Sequence, residues 1–294
     1  MRLKGSHNNT GIKRKGLMLT VGVAIATLLV IIAMPPLTAQ PSSPPSLNLP
    51  GAAAHPLPPA LEAWVDVNSS GDYFEQISPA GFGYLVWSDF PIHIVLDETL
   101  FQDIESDGQN HNSAYEQSPV PLLEQQRNDW HQAIVKAVED WNQFIPIEII
   151  DASISGDSRT GDIIIAAQSP PLRWSLPEEN DSNVESIDDL RPRAQTAETT
   201  YTIYLEKVSN HMVMKQRYTI MLSPKQSLDY LTSTARHEIG HALGLWGHSP
   251  EPEDALYFAQ VHTPPSISNR DINTLQKIYQ QPTQLGWPLI ETPL

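Results

Sequence analysis

Residues 237–248 read His-Glu-Ile-Gly-His-Ala-Leu-Gly-Leu-Trp-Gly-His, and the spacing of the polar side chains in this stretch predicts a metal site on a helix. His237 and His241 are four positions apart, so on a helix their Cβ atoms lie about 5–6 Å from each other and both imidazoles can reach one tetrahedral zinc ion. Glu238 is rotated from His237 by about 100° around the helix. Its carboxylate therefore falls beside the metal, where a metal-bound water would sit.

The residues after this helix predict a third ligand. Gly244 can adopt a positive φ and end the helix. Leu245–Gly247 can then turn the chain back and deliver His248 to the same ion. Three imidazoles would leave a fourth coordination position for water and substrate.

The composition restricts both the ligands and the partners. The chain has 294 residues, with 18 Lys plus Arg against 34 Asp plus Glu and a formal net charge of -16. Such an acidic chain repels phosphate backbones, so we expect no nucleic-acid partner. It contains no cysteine, which excludes disulfides, thiolate metal ligands and a cysteine nucleophile. A metal must therefore be held by histidines and carboxylates.

The N-terminal 60 residues predict export followed by a tether. Basic residues precede an apolar run at 17–33, which is long for a signal-peptide core and slightly short for a membrane-spanning helix. Residues 1–39 are therefore either a cleaved signal peptide or a membrane anchor. Residues 40–60 are a Pro-rich linker, and residues 61–294 form the folded domain. The domain is expected to be periplasmic, extracellular or anchored to the outer face of the membrane by residues 17–33, with no other membrane contact.

Apolar periodicity predicts an α+β fold, in which a mixed sheet packs on two long helices and a C-terminal helix. The predicted strands are Tyr84–Trp87, Ile92–Leu96, Ile147–Ile150, Asp162–Ala166, Tyr201–Leu205 and Arg217–Leu222. The predicted helices are Trp130–Phe144, Leu228 to Gly244, and a last helix that follows the capping-box pattern of Ser268 and Asp271.

With these features in order along one chain, the sequence resembles the metzincin clan of zinc endopeptidases, and within it the matrixin-like, bacterial M10-type peptidase domains. The resemblance covers roughly residues 87–279 and rests on the 237–248 stretch, Trp87–Pro91, Gly161–Ile163 and Asp271–Asn273. It implies a metzincin-like (zincin) catalytic domain with a mixed, mostly parallel twisted sheet.

The resemblance also assigns roles to individual residues. It implies that His237, His241 and His248 bind one catalytic Zn²⁺ and that Glu238 is the general base and acid. Leu256 and Tyr257 would form the tight turn beneath the zinc. Tyr257, Pro264 and Pro265 would line the substrate pocket for the side chain after the cut. An extended substrate would pair with the edge of the sheet.

Two departures from the family pattern concern the metal site. The family has two residues between the helix-ending glycine and the third histidine, whereas three, Leu245–Gly247, stand here. We expect a tight turn at the loop glycine to absorb the extra residue, with His262 as a remote substitute ligand. The family also has methionine in the turn where this chain has Leu256, a nearly volume-conserving exchange.

The sequence therefore predicts an exported zinc-dependent endopeptidase that hydrolyses peptide bonds of proteins or peptides through a zinc-bound water and Glu238. Two alternatives remain: a catalytically silent metzincin-like domain that binds peptides or partners at the cell surface, and a metal-dependent hydrolase of other substrates. A calcium loop at Asp103–Gly108 is possible but unsupported, because Ala114 stands where a twelfth-position carboxylate is wanted.

Overall fold

A computed structural model describes residues 49–99, 101, 120–150, 161–171 and 195–290. The predicted leader, most of the linker and the calcium-like loop lie outside the described residues. The elements are α1 (Pro59–Glu62), a 3₁₀ turn (Phe74–Gln76), β1 (Ile92–Asp97), α2 (Val120–Asn142), β2 (Ile147–Ile150), β3 (Ile163–Ala166), β4 (Ala197–Val208), β5 (His211–Leu222), α3 (Leu228–Ala242) and α4 (Asn269–Tyr279). None of the described helices is long and apolar enough to cross a membrane.

The five strands form one sheet in the order β2-β1-β3-β5-β4. Neighbouring strands are parallel from β2 to β5, and only β4 runs antiparallel, against β5. The run of isoleucine in β3 favours a strand that is buried within a parallel sheet. The expected mixed, mostly parallel sheet of an α+β fold is confirmed, and β2 and β4 are its two edge strands.

Two tryptophans of α2 hold this helix against β5 and against α3. Trp130 and Trp141 are fully buried, and each indole N–H donates to a backbone carbonyl, of Leu222 (3.1 Å) and of Arg236 (2.8 Å) respectively. A buried indole needs such an acceptor because an unpaired N–H is costly away from water. Trp141 thereby fixes α2 against the middle of α3.

One predicted strand is wrong, and three predicted elements are longer than expected: α2, which begins at Val120 instead of Trp130, and strands β4 and β5. Tyr84–Trp87 pairs with no strand of the sheet; Trp87 instead donates its indole N–H to the carbonyl of Ala242, at the end of α3 (2.8 Å). The β-rich composition of the segment therefore reflects burial beneath α3. Strands β4 and β5 have twelve residues each because their backbones pair along the whole hairpin, at polar and apolar residues alike. The pairing ends at a turn where Ser209 has φ 55°.

Packing begins before the expected start near Ala60. Ala53 pairs with Thr283, the ring of His55 stacks on Trp287 at 4.3 Å, and Leu61 is fully buried. The described end of the Pro-rich segment thus lies on the domain surface, against the C-terminal residues. These contacts satisfy backbone groups that a free tether would leave to water.

Candidate active site

Helix α3 carries two of the three histidines and ends where the sequence predicts. Gly244 has φ +120°, and a Cβ atom there would lie 2.7 Å from the carbonyl oxygen of Leu85. Both the backbone conformation and the close approach require glycine. The chain therefore leaves the helix at a fixed point, and the next four residues lead to His248.

The structure brings His237, His241 and His248 together. Their ligand atoms lie within 4.8 Å of one another, and among the described residues no other group of three His, Asp or Glu side chains could hold a metal ion. The ring centroids are 4.6–5.2 Å apart. His262 does not belong to this group.

The hydrogen bonds of the rings fit a zinc site. Nδ1 of His237 bonds the carbonyl of Ala255 at 2.9 Å, and Nδ1 of His241 bonds the carbonyl of Leu245 at 2.7 Å. A carbonyl can only accept, so each Nδ1 carries the proton and each Nε2 presents its lone pair to the centre of the triad. This tautomer leaves Nε2 of both rings available to a metal ion.

The charge state of the rings fits as well. Burial, with the neighbouring His237, lowers the pKa of His241 well below its ordinary value. Desolvation and His237 also lower the pKa of the more exposed His248. Both imidazoles are therefore neutral at neutral pH, as metal ligands must be.

Contacts on two sides hold the loop that carries His248. On one side, the backbone N–H of Ser78 donates to the carbonyl of Trp246 (3.3 Å). A Cβ atom on Gly247 would lie only 2.2 Å from the carbonyl oxygen of Gln76. The loop glycine therefore permits a close approach to the N-terminal segment, which fixes the path of the additional loop residue.

On the other side, the loop is tied to the turn beneath the triad. Ser249 N–H donates to the carbonyl of Leu256 (2.8 Å). Leu256 is fully buried, and a Cβ atom on Gly240 of α3 would lie 2.7 Å from its Cδ2. Leucine thus fills the space directly below the helix that bears the histidines.

A carboxylate of α4 holds the same turn. Asp271 accepts from the backbone N–H groups of Ala255 (2.8 Å) and Leu256 (3.4 Å), and from the Tyr73 hydroxyl (2.6 Å). It also completes the predicted capping box with Ser268. Since Ala255 in turn accepts from His237, Asp271 positions a histidine through one residue of backbone.

Glu238 lies beside the triad and has one side-chain partner. Its Oε2 accepts from the Thr199 hydroxyl of β4 at 2.5 Å. Burial raises the pKa of Glu238 above its ordinary value, although the adjacent His237 and the hydrogen bond from Thr199 oppose that rise. A carboxylate with a raised pKa is suited to accepting and returning a proton.

Two cavities meet at Glu238. A cavity of about 160 Å³ is walled by the 257–261 segment together with Pro264 and Pro265, and it is also lined by Thr196, the residue that precedes β4. A more open cavity of about 350 Å³ is lined by Trp246 and His248 from the loop and by residues 197–199 of β4. The triad therefore stands in the middle of a cleft that follows the edge strand.

Two features of the site were not predicted from the sequence: Thr199 and the anchoring role of Asp271. Thr199 could have been found by extending the β4 pattern back from Tyr201, since alternate residues of a strand share a face. Asp271 was predicted only as a helix cap, because no local pattern reports that its second oxygen reaches the turn at Ala255.

The mostly parallel sheet, the helix with its paired histidines and the third histidine after it define a metzincin-type domain. The family model of the matrixins, Peptidase_M10, matches residues 109–280, more than half of the chain, and the chain therefore belongs to this family of metallopeptidases. A comparison with curated proteins finds no match.

Proposed function

We propose that this protein is an exported zinc-dependent endopeptidase. One observation carries the proposal: one ring nitrogen each of His237, His241 and His248 converges beside Glu238, at the point where two cavities of one cleft meet. Three imidazole nitrogen donors match the ligand set of catalytic zinc sites, which keep one position open.

Bound zinc would polarise the scissile carbonyl and acidify an attacking water. The Thr199 hydroxyl holds Oε2 of Glu238, which leaves Oε1 to take the proton from that water. The protonated Glu238 then passes the proton to the leaving amine nitrogen, so one carboxylate serves as base and acid.

The cleft supports a peptide as the substrate. Strand β4 is the edge of the sheet, and an extended chain can add to such an edge by backbone hydrogen bonds. In this proposal the side chain after the cut enters the 160 Å³ cavity beside Tyr257, Pro264 and Pro265. The other cavity receives residues before the cut.

Export rests on the sequence of the first 39 residues, which places positive charges before an apolar run. In this proposal the peptidase domain acts outside the cytoplasmic membrane, either released or held there by residues 17–33. N-terminal sequencing of the protein recovered from the cell exterior distinguishes the two forms.

The proposal is tested by Glu238→Gln. This variant keeps all three histidines, so metal analysis should still find about one zinc per chain, whereas cleavage of casein or a peptide library should fall about 100- to 10,000-fold. The wild type should lose the same activity to a chelator. Zinc binding by wild type without chelator-sensitive cleavage would instead indicate a catalytically silent binding domain.

A further inference from the structure

The edge of the sheet that β4 forms extends well beyond the triad. Strands β4 and β5 pair continuously over twelve residues, from Ala197↔Leu222 to Val208↔His211. The edge contains no proline and no bulge, and residues 199–205 carry no charged side chain; these are the usual means of blocking an exposed edge. It is therefore a template to which another extended chain can pair.

The pairing pattern shows which backbone groups face this edge. Ser223 N–H donates to the carbonyl of Thr196 (2.9 Å), and in an antiparallel pair such hydrogen-bonded positions alternate along the strand. In β5, Tyr218 and Met214 direct their backbone groups away from β4, to Asp162 and Gly286, which agrees with this alternation.

The odd-numbered residues of β4 consequently direct both N–H and C=O outward. They are Ala197, Thr199, Tyr201, Ile203, Leu205 and Lys207. No residue in the described part of the chain hydrogen-bonds to the outward backbone groups from 199 to 207. From Tyr201 to Lys207 the row spans about 20 Å at about 3.4 Å per residue.

This row is continuous with the catalytic cleft. It passes Glu238 at Thr199, and Tyr201 packs edge-on against Trp246, which lines the 350 Å³ cavity (ring centroids 5.0 Å apart). Strand β4 runs from the 160 Å³ cavity toward the hairpin tip. If the side chain after the cut occupies that cavity, as the proposed function has it, the residues before the cut follow the edge toward Lys207.

We propose that the Tyr201–Lys207 edge is an extended substrate-binding surface that pairs with about seven residues lying well before the scissile bond. Backbone pairing depends little on the substrate's sequence, so this surface selects substrates by the length of the extended segment and its lack of structure. The substrates are then proteins that are cut within long unfolded segments. The inference rests on the proposed function, since it takes its direction from the position of the cleaved bond.

The test compares three peptides that share one cleavable core of four residues on each side of the cut. One carries an eight-residue N-terminal extension, one carries the same eight residues at the C-terminus, and one is unextended. We expect the N-terminal extension alone to raise kcat/KM on the order of tenfold, mainly through KM, since each added backbone hydrogen bond contributes modestly. N-methylation along the extension should reduce the gain at every second position.

Two variants at one position separate backbone from side-chain effects. Leu205→Pro removes an N–H that points outward and breaks no hydrogen bond to β5. An edge strand accepts proline at such a position. It should abolish most of the gain from the extension while the unextended peptide is cleaved as before. Leu205→Ala keeps the N–H and should keep the gain. If Leu205→Pro does not fold, the N-methylated peptides test the inference instead: backbone pairing requires that the gain fall at every second position of the extension.

A binding measurement keeps this inference distinct from the proposed function. The Glu238→Gln variant should bind the N-terminally extended peptide about tenfold more tightly than the C-terminally extended one, by fluorescence anisotropy. Extension-dependent binding without any cleavage by wild type would support the edge surface and overturn the peptidase proposal. Equal affinities for the two extended peptides would overturn the assignment of this edge to substrate. So would a wild-type dimer that Leu205→Pro disrupts, if the extension has no effect on cleavage or binding.

Discussion

Replacing Gly247 by alanine should damage the metal site from outside it. The new Cβ atom would lie 2.2 Å from the carbonyl oxygen of Gln76, 3.0 Å from its carbonyl carbon and 3.1 Å from Cδ1 of Ile77. Close carbon–oxygen contacts are about 3.3 Å, so the loop and the N-terminal segment must separate by about 1 Å. His248 is the next residue, and it moves with the loop.

The expected size of the effect follows from this clash. Overpacking of about this kind costs about 1–3 kcal/mol of folding free energy. Misplacing one ligand through its supporting contacts typically weakens metal binding by about 10- to 100-fold. The two other histidines lie on α3 and keep their own carbonyl partners, so binding should weaken without being abolished.

Zinc affinity of Gly247→Ala should be measured by competition with a chromophoric chelator, alongside thermal unfolding of the metal-free protein. Gly81→Ala is the matched control, because a Cβ atom there meets nothing within 4 Å. The control should match wild type in both measurements. Unchanged zinc affinity in Gly247→Ala would refute the conclusion that the N-terminal segment fixes His248.

Two further predictions concern groups around α3. Thr199→Val should lower kcat about 10- to 100-fold with unchanged zinc content, because a hydrogen bond to a charged group contributes about 1.5–3 kcal/mol. Thr199→Ser keeps the hydroxyl and should retain the rate. Equal kcat in wild type and both variants would contradict this role of Thr199. Burial alone would raise the pKa of Asp140, but hydrogen bonds from Lys136 and Arg236 hold it below 3.8. A carboxyl group whose pKa is lower in the folded protein than in the unfolded chain stabilises the fold above pH 3.8. This contribution is lost as the pH falls through the pKa of the folded state. In urea unfolding, Asp140→Asn should therefore lower the free energy of unfolding by about 1.5–3 kcal/mol near pH 7 and by progressively less below pH 3.8. A difference between the two proteins that stays constant with pH would contradict the ion pair of Asp140 with Arg236 (2.7 Å).

The features that the sequence predicted well are those with short-range causes. The 237–241 spacing and the positive φ of Gly244 depend on residues within two helical turns, and the capping box at Ser268 spans one turn. The parallel strands at 147–150 and 163–166 were recognised because three of the four residues in each are isoleucine. In each case residues close in sequence carry the signal.

The missed features depend on contacts between distant parts of the chain. Thr199 reaches Glu238 only because β4 and α3 lie side by side, and Asp271 reaches Ala255 from another helix. Tyr84–Trp87 has the composition of a strand, yet Trp87 bonds the end of α3 instead of a strand. Burial favours β-branched and aromatic residues in both settings, so composition does not distinguish them.

The central position of β1 decides how the gene should be trimmed for expression. The family match begins at residue 109, whereas Ile92–Asp97 lies between β2 and β3 and bonds to both. A recombinant fragment cut at the family boundary would leave those two strands with a gap between them, and would also lack the buried Leu61 and Tyr73. Soluble, metal-competent protein is therefore expected only from fragments that begin before about residue 50.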